Sequence, residues 1–373
     1  MATWFAQNSS VNIDSVNQWN SAANGSGSWL TWASLGASDV LVCNGKTSIT
    51  INVSFTCATI TTTATGGTAG GGFLLAAGVT VTAALTAGSS TVITRSAAGA
   101  ESYVIGSVTS GASTADGINN TSTGNITITG AVSGGSAAAA IGVRNASTGN
   151  ITITGNVSAG SAGSGPWGVY NTSTGTITVT GDVSGGGGSS SWGIDNIATG
   201  AVYVTGAVTG GASGSGHAIN NTSTGLVQVV GAVTGGSGTT AYGINSSSTA
   251  IVSVTGTITA TDTSNGVYAP TASTMSALGA SLISSTNGTV AVVSAKLLIH
   301  ASTELTHTYR VNNAGVPGAA RSLYTGGVNL NQPTAANVRS GTVYGASSEY
   351  TGTLAVPSAS LVALGVSTDA TTG

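Results

Sequence analysis

Charge is what this chain most lacks. Of 373 residues, 10 are acidic and 7 basic, 5% in all, where ordinary soluble domains carry about 25%. With a net charge of −3 there is no basic surface for nucleic acid. Only two cysteines occur, Cys43 and Cys57. Both lie in strand-like runs and read as small core residues with free thiols, although a disulfide between neighbouring turns stays geometrically open. His217, His300 and His307 stand apart from any cysteine, so no metal-ligand spacing exists and neither metal nor cofactor is expected. No apolar run approaches the roughly 20 residues of a membrane helix, so membrane insertion is not expected. Met1–Asn8 has no basic stretch leading into an apolar one, so a secretion signal is not expected and synthesis in a cytoplasm is. Nothing in the central repeats has helical spacing.

What is abundant is Gly, 58 residues, with Ser, Thr, Val and Ile arranged in a repeat. Asn125-Ile126-Thr127-Ile128-Thr129-Gly130 returns at 150–155, 176–181, 201–206, 226–231 and 251–256, in steps of 25, 26, 25, 25 and 25 residues. A fixed period of this size marks a stacked array. Ile or Val alternating with Thr is the period-two pattern of a half-buried strand, and Gly supplies the corners. A disordered low-complexity chain would lack the aliphatic columns. About 25 residues hold three short strands and three bends, one turn of a β-solenoid. Burying about five aliphatics at roughly 1.5–3 kcal/mol each does not offset the ordering of some 25 residues at about 1 kcal/mol or more apiece. Only stacking closes that gap, and the ends need caps.

The expected fold is all-β, a right-handed parallel β-helix with turns of about 25 residues. An N-terminal cap over 1–38 holds Trp4, Trp19, Trp29 and Trp32. Irregular turns follow over 39–115, regular turns over 116–270, terminating turns over 271–299 and a small β-rich module over 300–373. Inward columns are Ile126/Ile151/Ile177/Val202/Val227/Val252, Ile128/Ile153/Val179/Val204/Val229/Val254 and Val132/Val157/Val183/Val208/Val233/Ile258. Asn120, Asn145, Asn171, Asn196 and Asn221 form one polar column, ended by Ser246, and read as a stacked amide ladder. Several open Asn-x-Ser/Thr triplets, but glycosylation is the weaker reading at a buried ladder position.

Two columns vary from turn to turn. Asp116, Ile141, Trp167, Trp192, His217, Tyr242 and Asn265 form one; Asn119, Arg144, Tyr170, Asp195, Asn220, Asn245 and Tyr268 form the other. Aromatics beside Arg, Asp and Asn fit a sugar-binding strip, with Arg144, Trp167, Tyr170, Trp192, Asp195, His217 and Tyr242 as its candidates. Plain packing competes, and is favoured because strict alternation puts Trp167 on the side of Val169. No catalytic residue is assigned: glycoside hydrolysis needs two carboxylates about 5–9.5 Å apart. Asp182 and Asp195 lie half a turn apart, on different faces, while Asp116 and Asp262 stand at opposite ends of the array. The Thr127/Thr129, Thr152/Thr154 and Thr178/Thr180 pairs resemble an ice-binding face, but Tyr203, Leu226, Gln228 and Val230 interrupt it.

The Trp-containing N-terminal segment followed by Gly36-Ala37-Ser38-Asp39-Val40-Leu41-Val42 resembles the start of pectate-lyase-like right-handed parallel β-helices. The tail, with Val338–Gly345, Tyr350–Pro357 and Leu364–Asp369, resembles a short module near the end of phage tail fibres and related virion proteins. That resemblance implies a virion appendage, a tail fibre or spike, synthesised in a host cytoplasm. It also implies a homo-oligomer, a trimer, with other virion proteins and a host surface polysaccharide as partners. A polysaccharide-degrading tailspike and a non-viral cell-surface adhesin or filament subunit are the alternatives.

Overall fold

The structure, a computed structural model, describes residues 1–260 except 10, 44–45, 47–48, 63–71, 89, 112–113, 162, 164, 213, 239 and 247–250; beyond 260 it describes the strands alone. It is the expected all-β parallel solenoid. Each regular turn carries three strands, such as Val143–Asn145, Ile151–Thr154 and Val157–Ser158. The last two belong to one continuous sheet, here the first face, and pair in parallel with their copies one turn on. The short strand belongs to a separate 10-stranded sheet, the second face. Registers are unshifted across the 26-residue step, with Ile151 opposite Ile177 and Val143 opposite Val169. The extra residue is therefore absorbed outside the strands.

All three aliphatic columns point inward, with every member at most 1% exposed. Parallel stacking puts each Ile or Val above its equivalent, and burial of these columns drives the fold. The irregular turns are part of the same stack. Phe55–Thr62 pairs with Thr80–Ala87, which pairs with Ser102–Ile105, which pairs with Ile126–Thr129. Beyond the regular array, Thr274–Leu278 pairs in parallel with Ile251–Val254 and with Lys296–His300.

Asn-x-x-x-Gly and the final Gly of the repeat have separate reasons. Asn171 donates Nδ2 to the Gly175 carbonyl at 3.2 Å, closing the bend. A Cβ on Gly175 would stand 2.5 Å from Asn145 Nδ2, so that Gly makes room for the amide of the preceding turn. Gly181, with φ +148, follows the long strand, and a Cβ there would lie 2.4 Å from the Gly155 carbonyl oxygen. Backbone on backbone leaves no side chain to move. Gly181→Ala is expected to cost more than about 3 kcal/mol, read as loss of amide-exchange protection centred on the turns at 155 and 181.

The N-terminal segment does more than cover the first turn. Thr3–Ala6 joins the first face in parallel with Val40–Val42, and Trp19–Asn20 then pairs antiparallel with Thr3–Ala6. Reversing direction there removes an in-register parallel template for a second rod. Trp19 is buried and donates to the Ile13 carbonyl at 2.7 Å. Asp39 fastens the segment through the backbone N–H groups of Ala2 (2.8 Å) and Gly36 (3.1 Å), and these hold its carboxyl below the usual range. Cys43 and Cys57 are free and buried; burial raises both thiols, Cys57 to about 12.

The chain divides into one compact unit of 1–301 with 310–319, and another of 302–309 with 320–373. Among the described residues the second contains three antiparallel pairings, Thr308 and Tyr309 with Ser322 and Arg321, Val343–Tyr344 with Tyr350–Thr351, and Ser367–Thr368 with Thr371–Thr372. The remaining motif residues of that module, with Asp262 and Asn265, lie outside the described residues. Among the described residues no helix is long and apolar enough to cross a membrane.

Candidate functional site

The amide ladder is fully buried, with Asn120, Asn145, Asn171, Asn196 and Asn221 all at 0% exposure. Such amides are closed to glycosylation in the folded chain. Asn171 donates to Asn196 Oδ1 at 3.1 Å, Asn196 to Asn221 at 3.4 Å, and Asn120 to Asn145 at 3.3 Å. The 145-to-171 link is missing, leaving Asn171 Oδ1 without a partner; this gap coincides with the 26-residue step. At the foot of the column stands Arg95, in register with Asn120 and fully buried. Its guanidinium donates to the carbonyls of Ala76 and Ala100 and to Ser102 Oγ. Burial lowers its pKa. The 25-residue offset from Asn120 was the only sequence signal for it.

All seven candidate glycan residues fall in one strip along the second face and its adjoining bend. The rings of Trp167 and Trp192 stack at 5.7 Å and 19°, Trp192 and His217 at 5.8 Å and 12°, and His217 and Tyr242 at 4.9 Å and 3°. One turn per ring puts the rings at stacking distance, as in-register side chains on neighbouring strands must be. Trp167 and Trp192 each donate an indole N–H to a loop carbonyl in the next turn, Ser190 at 3.0 Å and Ser215 at 2.7 Å. Tyr170 packs on Trp167 at 4.4 Å, and the Arg144 guanidinium lies 5.5 Å from the Tyr170 ring centre. Arg144 Nε is 2.9 Å from Asp116 Oδ2, an ion pair across one turn. Burial raises the Asp116 carboxyl, and the Arg144 charge opposes that.

Beside the rings runs a second, unforeseen chain of amides. Asn245 donates to Asn220 at 2.7 Å, and Asn220 to Asp195 at 2.8 Å. Asp195 is 2% exposed although it sits on the outward side of its strand, where it lies in register between Tyr170 and Asn220. That burial raises its carboxyl to about 7, only partly opposed by Asn220. His217 is also buried, which lowers it to about 4; its Nδ1 accepts the Tyr242 backbone N–H at 3.0 Å, which fixes the neutral ring with hydrogen on Nε2. Among the described residues no cluster of His, Cys, Asp and Glu could hold a metal.

This arrangement bears directly on the competing readings of the strip. A ring stacked on both sides has no face left for a sugar, so Trp192 and His217 offer only edges. As a hydrolytic pair, Asp182 and Asp195 stay apart: Asp182 is exposed at a bend of the first face, bonded to Ala207 N at 2.8 Å, while Asp195 is buried on the second.

No protein-family model, curated protein or solved structure matches this chain.

The geometry itself gives a prediction for the strip. Trp192→Leu removes two ring contacts and the bond to Ser215, and is expected to cost about 2–3 kcal/mol. Loss of near-ultraviolet ellipticity and of loop amide protection around 215 would report it; unchanged stability would mean the stack contributes nothing.

Proposed function

We propose that this chain is the rod of a virion appendage, a tail fibre or spike, working as a homotrimer that meets glycan at the host surface. The observation that supports it most is the turn-to-turn stacking of rings from Trp167 to Tyr242 and the amide bonds that run beside it. Columns that vary in sequence, where a solenoid enzyme would place chemistry, are here joined into ring stacks and amide chains that stiffen the stack. A stiff, nearly uncharged rod suits transmission of force and contact at a distance. Glycan fits the exposed surface better than nucleic acid does, because Arg144 is the single basic residue between 116 and 260.

Immunogold electron microscopy on particles from the source culture, with antibody to the recombinant chain, tests this. Gold on tail fibres or tail tips is the expected outcome. Gold along cell surfaces or free filaments, with clean particles, would overturn it in favour of an adhesin or filament subunit.

A further inference from the structure

We infer that the outward side of the first face, between Tyr103 and Tyr203, is a track for one uncharged, unbranched glycan chain lying along the rod axis. This rests on the glycan reading above, but moves the contact to residues outside the Trp–His–Tyr strip.

Tyr103 and Tyr203 occupy one column. Tyr103 is opposite Thr127, Thr127 opposite Thr152, Thr152 opposite Thr178, and Thr178 opposite Tyr203. Four turns separate them, about 19 Å at ~4.8 Å per strand. They are 42% and 36% exposed, and unlike the rings of the second face they stack on no other aromatic among the described residues. The Tyr103 hydroxyl donates to Glu101 Oε2 at 3.1 Å, two residues back on the same strand face. That bond ties the ring to its own strand while the residue stays 42% exposed.

Between the two rings the floor is Thr127, Thr152 and Thr178, with Thr129, Thr154, Thr180 and Thr205 in the adjacent outward column. Thr127 already donates its hydroxyl to Glu101 Oε1, so Thr152 and Thr178 are the threonines of this column that offer a hydroxyl for hydrogen bonding and a methyl for the C–H edge of a sugar, and neither requires stripping water from a charge. The hydroxyls recur once per turn, a spacing comparable to the rise of one residue in an extended sugar chain. The charged groups near this track are Glu101 and Asp182, both acidic; Arg144 belongs to the other sheet. An acidic margin with no cation repels a polyanion and leaves a neutral chain as the fitting occupant.

Binding of linear neutral oligosaccharides (β-1,4-glucan, β-1,3-glucan, xylan and mannan) to the full chain, measured calorimetrically beside a polyuronate, tests the track. At least one neutral chain is expected to bind, and the polyuronate not to. Tyr103→Ala and Tyr203→Ala, both at exposed positions, are each expected to weaken that binding about tenfold, and Thr152→Glu, mid-track, to weaken it at least as much. Trp29→Ala, at an exposed ring of the N-terminal segment, should leave it unchanged. Neutral glycan binding that survives loss of both tyrosines would overturn the track while leaving glycan binding by this chain intact. Binding of no neutral chain, or of the polyuronate in preference, would overturn it as well. Sedimentation velocity on the same variants covers the remaining occupant: tyrosine changes that dissolve an oligomer would mean the face belongs to a second copy of the chain.

Discussion

Asp195→Asn is expected to raise stability at pH 8 by about 3–4 kcal/mol. The folded chain holds this carboxyl at about 7, against 3.8 for the free group, and each pKa unit is worth about 1.36 kcal/mol. The sign follows from linkage. A folded-state value above the unfolded one favours the protonated form, so the contribution is complete below 3.8 and is lost as pH rises to about 7. Asn is neutral throughout and keeps an oxygen to accept from Asn220. His217 runs the other way. Its folded value of about 4 lies below 6.5, so stability is complete above 6.5 and falls as pH drops toward 4, where the unfolded chain takes up the proton first. Between pH 4 and 6.5 the two slopes oppose one another. Wild-type stability should therefore be nearly flat there, while the Asn variant should gain about 3 kcal/mol as pH rises across that interval. Denaturant titrations at pH 4, 5, 6.5 and 8 read both effects. A variant no more stable than wild type at pH 8 would show that Asp195 is already charged and solvated when folded.

Asn196→Ala should have an effect of similar size in the opposite direction, a loss of about 3–4 kcal/mol. Its amide at 0% exposure donates to the Gly200 carbonyl and Asn221 Oδ1 and accepts from Asn171. Removing it leaves several buried groups short of partners at about 1–3 kcal/mol each, with a cavity besides. Because solenoid energetics are dominated by nearest neighbours, the damage should be local. Amide exchange ought to quicken over the turns holding Asn171, Asn196 and Asn221 and remain slow near Asn120. Asn245→Ala, at a half-exposed position outside the ladder, leaves only the Asn220 oxygen short of a donor and should cost less, about 1–2 kcal/mol. Equal losses from the two variants would remove any special weight from the ladder.

Periodicity carried most of the fold into the sequence. In a parallel stack each column is a set of identical environments, so Ile126 to Val252, the five ladder asparagines and the bend glycines announce themselves by repetition. Even in the irregular turns strands such as Phe55–Thr62 and Thr80–Ala87 form, because alternation survives where the period does not. The lead-in was legible only as a cap: that Thr3–Ala6 adds a strand and Trp19–Asn20 reverses it depends on pairing between segments, which composition does not encode.

Local alternation repeated at constant spacing is enough to establish that this chain stacks, how long each turn is and which residues face inward. It also placed Arg144, Trp167, Tyr170, Trp192, Asp195, His217 and Tyr242 in two adjacent columns. Only the tertiary structure decided what those columns do. Whether a ring on one turn faces solvent or the ring above it depends on side-chain direction and on how the Gly-rich loops close over the strand. Spacing along the chain is the same in both cases. For that reason Asp195, outward by alternation, is buried and raised toward neutrality. For the same reason Tyr203, a break in a threonine pattern when read along the chain, and Tyr103 in the same column stand exposed.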